Sequence, residues 1–204
     1  IHDRRLNKLA RIRSKRIFMS ASFVVQRYSP ASQIIHWLSA LFICLTWALG
    51  LFGDEFPKGP LRETANFIHI STGEIIAFLL ILRIILRFST PQPAKEPNKQ
   101  APWLELVGRL MHLVLYLLLG AVIIAGVMTQ FSSGKALPVF GLYEITSPWG
   151  KDRDLRHFIK ELHEFFANSL MALALLHASF ALVHHYLLQD NTLKRMLPIF
   201  LFKN

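Results

Sequence analysis

Four long apolar stretches, separated by connectors rich in proline, glycine and charge, make up most of this chain. They run from about Ser32 to Gly53, Phe67 to Phe88, Gly108 to Phe131 and Glu164 to Gln189. No Asp, Glu, Lys or Arg occurs from Phe165 to Gln189. At ~1.5 Å rise per residue each stretch can cross a hydrocarbon core of ~30 Å. Nothing alternates with the two-residue period of a half-buried strand, and no internal repeat is visible. The pattern predicts an all-α, integral membrane four-helix bundle over residues 28–198. A basic tail, residues 1–27, precedes it and a short tail, residues 199–204, follows.

The connectors differ in character. FGDEFPKGPLRETAN is polar with two prolines and two glycines, and STPQPAKEPNKQAP carries proline at a density that favours an extended surface loop. Residues 132–160 form the longest connector and read as a surface loop with at most one short helical turn. Residues 1–27 lack the apolar core of a signal peptide. Met19 follows their basic run and is read as the natural start, or residues 1–18 as an upstream extension; a cationic tail of this kind would touch anionic lipid.

Composition narrows the class. With 204 residues, 52% of them hydrophobic, one bundle is affordable and two domains are not. The net charge of +10 suggests nucleic acid, but the basic residues flank apolar segments, which is the signature of membrane topology. Sixteen of the 23 Lys and Arg residues fall in the two tails and the 83–109 region, and seven in the other two connectors. Positive charge accumulates on the cytoplasmic side, so both termini are expected there. A single cysteine, Cys44, excludes an intrachain disulfide and a cysteine-ligated iron–sulfur cluster.

Histidine carries the chemistry. An imidazole in lipid is costly and marks function. His163 and His177 lie fourteen residues apart, which returns to within about 40° of one helix face and separates them by ~21 Å. With both termini cytoplasmic, His36 opens the first span near the cytoplasmic face and His69 opens the second near the outer face. Two pairs result: His69 with His163 outside, and His36 with His177 inside. Bis-histidine ligation fills both axial positions of a haem iron and suits electron transfer. Zinc wants more protein ligands than two at one depth. Arg83 lies fourteen residues after His69 and either faces haem propionates or snorkels to the interface. His112 sits at the inner level as an alternative inner ligand. His184 lies too near the cytoplasmic end to pair with His36; with His185 it would meet propionates, a quinone or lipid headgroups. Glu74 would pair with a connector arginine or relay protons, and the tryptophans fit interface belts or packing.

The ordered set RYSPASQIIHWL, FIHISTGEIIAFLLILRIILR, GRLMHLVLYLLL, LHEFFANSLMALALLHASFALVHHY and DNTLKRMLP resembles the bacterial cytochrome b561 family, of the superoxide-oxidising, ubiquinone-reducing kind. The likeness covers about Tyr28 to Pro198. It implies a multi-pass protein of the inner membrane with two b-type haems, axial ligands at His36, His69, His163 and His177, ubiquinone as electron acceptor and superoxide as donor. The wider superfamily includes cytochrome b subunits of hydrogenases and dehydrogenases, so the alternative is an anchor and electron wire for a redox partner protein. Glu74 departs from the family pattern, in which an acidic residue is not expected there. The outer connectors are nearly balanced in charge, so they offer no long-range steering of an anion.

Overall fold

The computed structural model describes residues 27–93 and 102–198. The readings of residues 1–26, Met19 included, of the proline-rich loop over 94–101 and of residues 199–204 fall outside the described residues. Four long helices dominate: α1 (Pro30–Phe52), α2 (Pro60–Ser89), α3 (Pro102–Ser132) and α4 (Arg153–Tyr186). A 3-10 turn, Gly53–Glu55, ends α1, and a short helix α5 (Thr192–Met196) follows α4. The starts are locally encoded. Ser29 caps α1 by accepting from the Ser32 N–H at 3.2 Å, with Pro30 in the first turn, where its missing N–H costs nothing. Asp152 caps α4 through the Leu155 N–H at 3.0 Å.

All four helices are long and apolar enough to cross a membrane. Phe88, Leu175 and Leu41 are among many large apolar side chains on the outer surface, which suits hydrocarbon as solvent. With 30 and 34 residues, α2 and α4 begin well before the apolar stretches do and reach ~45 and ~51 Å, so they extend beyond a bilayer core.

The bundle consists of two antiparallel pairs. α1 packs along α2 and α3 along α4, while the two pairs meet over a much smaller area. Polar ties fix their register. The Thr46 hydroxyl donates to Thr72 Oγ1 at 2.7 Å between α1 and α2. Trp47 Nε1 donates to Asn168 Oδ1 at 2.9 Å, joining α1 to α4. At the end where α1 begins, buried Gln33 donates to the carbonyls of Tyr28 and Arg195, both at 3.1 Å. Trp37 Nε1 donates to the Met196 carbonyl at 3.0 Å, so α5 is strapped across the start of α1. Both tryptophans therefore act as fasteners between elements.

The long connector differs from the expected loop. It holds an antiparallel hairpin, β1 (Leu137–Val139) and β2 (Tyr143–Ile145), with Leu137 opposite Ile145 and Val139 opposite Tyr143. The turn needs positive φ at two successive residues, Phe140 (50°) and Gly141 (70°), and closes through the Leu142 N–H to the Val139 carbonyl at 2.9 Å. A phenylalanine is costly in that region. Glu74 on α2 offsets the cost by accepting the Phe140 N–H at 3.1 Å. Glu74 thus has a backbone partner in the hairpin, not a connector arginine. Three-residue strands are too short to show alternation, and α4 has already begun at Arg153 within this stretch.

Candidate functional site

The fourteen-residue spacing organises all four helices. Counting seven residues at a time gives His36, Ile43 and Gly50 on α1; His69, Ile76 and Arg83 on α2; His112, Leu119 and Gly126 on α3; and His163, Leu170 and His177 on α4. Because neighbours run antiparallel, these positions stack into three layers. The middle one is apolar: Ile76, Leu119 and Leu170 are buried together, with Ile43 packed against them. His36, Arg83, His112 and His177 form the terminal layer, toward the start of α1 and the end of α4. Gly50, His69, Gly126 and His163 form the layer toward the hairpin. Two steps of seven put the polar layers ~21 Å apart along the axis.

In the hairpin-side layer, the His69 and His163 rings lie 6.1 Å apart between centroids, inclined at 73°. His69 Nδ1 is 2.9 Å from the Thr46 carbonyl, and His163 Nδ1 is 2.9 Å from the Val122 carbonyl. A carbonyl oxygen can only accept, so each Nδ1 carries the proton and each Nε2 keeps a free lone pair. Each ring also lies against a glycine of the neighbouring helix. A Cβ at Gly50 would stand 3.0 Å from His69 Cε1, and one at Gly126 would stand 3.1 Å from His163 Cε1.

In the terminal layer, His36 and His177 are 6.4 Å apart at 70°. His36 Nδ1 is buried with no hydrogen-bond partner. His112 also meets His177, at 5.2 Å, and its Nδ1 donates to the Gly108 carbonyl of its own helix at 2.6 Å. The Arg83 guanidinium lies over the Tyr116 ring, 5.5 Å from its centroid, and is near enough to His36, His112 and His177 to act on them electrostatically. Arg87, one turn on, instead donates to Gln92 at the helix end.

His184 stands apart from both layers. Its Nδ1 donates to Asp190 Oδ2 at 2.6 Å in the turn between α4 and α5, and the Thr192 N–H donates to Asp190 Oδ1 at 2.9 Å. Burial by itself would raise the Asp190 carboxyl, but these bonds from His184 and Thr192 outweigh it and hold the group below the ordinary carboxylate range.

The residues fit haem. Two metal–nitrogen bonds of about 2 Å each, plus the two ring radii, fill a centroid gap of the size seen in both pairs. The His112–His177 gap is about 1 Å shorter than that of His36–His177 and is too tight for a metal between the rings. Among the described residues no group of three or more His, Cys, Asp or Glu could hold a metal ion. The lone Cys44 cannot form the two-cysteine attachment of a c-type haem, which leaves non-covalent binding. Gly50, Gly126, Thr46 and Asn168 were not singled out from the sequence. The available signal was that each glycine falls fourteen residues after a histidine.

Comparison with known proteins identifies the family. Residues 27–198 match the family described as Prokaryotic cytochrome b561. The chain is 33% identical to cytochrome b561 homolog 2 of Escherichia coli (strain K12), over 88% of this chain and 95% of that protein. It is 31% identical to cytochrome b561 homolog 1 of the same organism, over 85% and 98% respectively. It is 33% identical to the probable superoxide oxidase CybB of Yersinia pestis, over 85% and 97%. Four membrane-spanning helices, histidines set at two depths and a match over nearly all of the described chain lead to one assignment: the chain belongs to the prokaryotic cytochrome b561 family, bacterial multi-pass membrane proteins that bind b-type haem and carry electrons across the bilayer.

Proposed function

We propose that this protein holds two b-type haems, one between His69 and His163 and one between His36 and His177, and passes electrons from superoxide outside to ubiquinone at the cytoplasmic side. The observation that carries the reading is the pair of facing imidazoles at each of two levels, fourteen residues apart on α4. Both termini are cytoplasmic in this reading, as the distribution of Lys and Arg favours. The hairpin side then faces out. The name of the Yersinia pestis relative, probable superoxide oxidase, supports superoxide as the donor. In balance, two superoxide anions lose one electron each and become dioxygen, while ubiquinone takes two electrons and two protons.

His36, His69, His163 and His177 would hold the haems, which would supply one-electron chemistry when bound. The chain does the rest. The four histidines fix depth and separation. The middle layer of Ile43, Ile76, Leu119 and Leu170 keeps water out between the polar layers, so protons have no ready path where electrons cross. Arg83 places a positive charge in the inner layer. Lys160 at the outer end is held by Asp54 and Glu164, both at 3.3 Å, so its charge is largely spoken for.

The test is haem content and spectrum of purified variants. Two low-spin haems per chain are expected. His69→Ala and His163→Ala should lose the same one, and His36→Ala and His177→Ala the other, while His112→Ala keeps both. If His112→Ala abolishes the inner haem and His36→Ala spares it, the inner pairing is wrong. Superoxide should reduce the purified protein with no partner, and added ubiquinone should reoxidise it. Reduction only in the presence of a dehydrogenase or hydrogenase would point to an electron wire.

A further inference from the structure

The hydrogen bonding of the two histidine pairs is unequal. Both outer rings donate Nδ1–H to a backbone carbonyl of the adjacent helix. The inner pair differs: His36 Nδ1 is buried with no hydrogen-bond partner among the described residues. The outer arrangement is also duplicated. On α1 the accepting carbonyl is Thr46 and the glycine is Gly50, and on α3 they are Val122 and Gly126. In both cases the glycine follows the carbonyl by four residues.

That spacing has a physical reason. In a helix the carbonyl of residue i accepts from the N–H of residue i+4. Each Cβ tilts toward the helix N-terminus, so the side chain at i+4 covers the outward side of that carbonyl. Without a Cβ at i+4, the second lone pair is open to a donor from outside. Gly50 and Gly126 provide this opening, and each imidazole occupies the volume a methyl would take, at 3.0 and 3.1 Å from Cε1 and 3.5 and 3.4 Å from Nδ1. Carbon atoms favour separations of about 3.5–4.0 Å, so an alanine at either place would push the ring away from its carbonyl. The Thr46–Thr72 hydroxyl bond holds the first cradle in register.

We propose that Gly50 and Gly126, with the carbonyls of Thr46 and Val122, are a duplicated positioning device that makes both outer imidazoles strong donors and thereby sets the outer haem at a lower reduction potential than the inner one. A histidine whose other nitrogen donates a hydrogen bond is a more basic ligand. A more basic axial ligand favours the oxidised iron and lowers its potential. In the inner pair His36 lacks this bond, and the Arg83 charge lies at the level of that pair, which favours the reduced state. Both asymmetries act in one direction, so electron flow from the outer to the inner level is downhill by construction. The inference rests on the axial assignments of the preceding section.

Redox titration with EPR of the low-spin signals tests it. The outer-only protein made by His177→Ala should titrate at lower potential than the inner-only protein made by His69→Ala. In the otherwise native chain, Gly50→Ala and Gly126→Ala should each raise the lower potential, narrow the gap and alter one EPR signal, leaving the other unchanged; loss of the outer haem alone would be the stronger form of the same effect. Gly73→Ala and Gly120→Ala, where an added Cβ meets nothing within 4 Å, are controls that should move neither potential. If either cradle variant loses both haems, the order of potentials in the two single-haem proteins decides. An outer potential at or above the inner one, or cradle variants with both haems and native potentials, overturns the proposal. If instead His69→Ala and His177→Ala each fail to remove one haem, it is the axial assignment that has failed.

Discussion

Arg83→Gln should lower the reduction potential of the inner haem by about 80 mV while leaving the outer one in place. Arg83 lies fourteen residues after His69, as His177 lies fourteen after His163, so the guanidinium is level with the inner pair. It is half-buried, and its guanidinium lies over the Tyr116 ring. Helices in contact are ~8–10 Å apart between axes, and a unit charge at about 9 Å with an effective dielectric constant of ~20 contributes about 2 kcal/mol. For a one-electron couple that is ~80 mV, since ~59 mV corresponds to ~1.4 kcal/mol. The positive charge favours the reduced iron, so its removal lowers the potential. Arg83→Lys should recover only part of the shift, because an ammonium lacks the planar fork and the flat face that lies on Tyr116. Tyr116→Leu should free the side chain and act in the same direction as the glutamine variant, more weakly. The assay is a potentiometric titration of both haems in each variant, with haem content measured alongside. An inner potential unchanged in Arg83→Gln, at full haem content, would mean that the guanidinium lies too far out to act on the iron.

An alkaline phosphatase fused after Asn204 should be inactive in the periplasm and one inserted at Gly141 active; the reverse result would invert the topology. Glu74→Leu should remove the acceptor of the Phe140 N–H and speed its amide exchange about tenfold or more, whereas Glu74→Gln keeps an acceptor and most of the protection. Equal exchange in all three proteins would mean that Glu74 does not hold the hairpin. The Asp190 carboxyl, held low by His184 and Thr192, contributes stability that is fully present above the unfolded value of ~3.9 and is lost as pH falls through its lower folded value. Asp190→Asn should abolish that acid-side loss in a thermal melt of the detergent-solubilised protein, and a melt with the same acid dependence in both would refute the pairing.

What the sequence determined was everything governed by a single helix and its solvent. Apolar runs of membrane length, capped by Ser29 with Pro30 and by Asp152, specify spans without reference to any neighbour, because lipid requires each helix to satisfy its own backbone. The fourteen-residue interval from His163 to His177 and from His69 to Arg83 is equally local, since helical pitch converts it directly into one face and two depths. Spacing cannot say which residue on another helix lies opposite. His112 sits at the same depth as His36, and only packing places it 5.2 Å from His177 while His36 stands at 6.4 Å. Gly50 and Gly126 look like weak points in a helix until His69 and His163 are seen to lie against them. The hairpin at 137–145 was illegible because its turn is held from 66 residues away in sequence by Glu74, and strands of three residues carry no period of their own. Depth follows from the rise of one helix; the facing of histidine rings, their orientation and the inequality of the two layers arise between helices, where the antiparallel register fixes which side chains share a level.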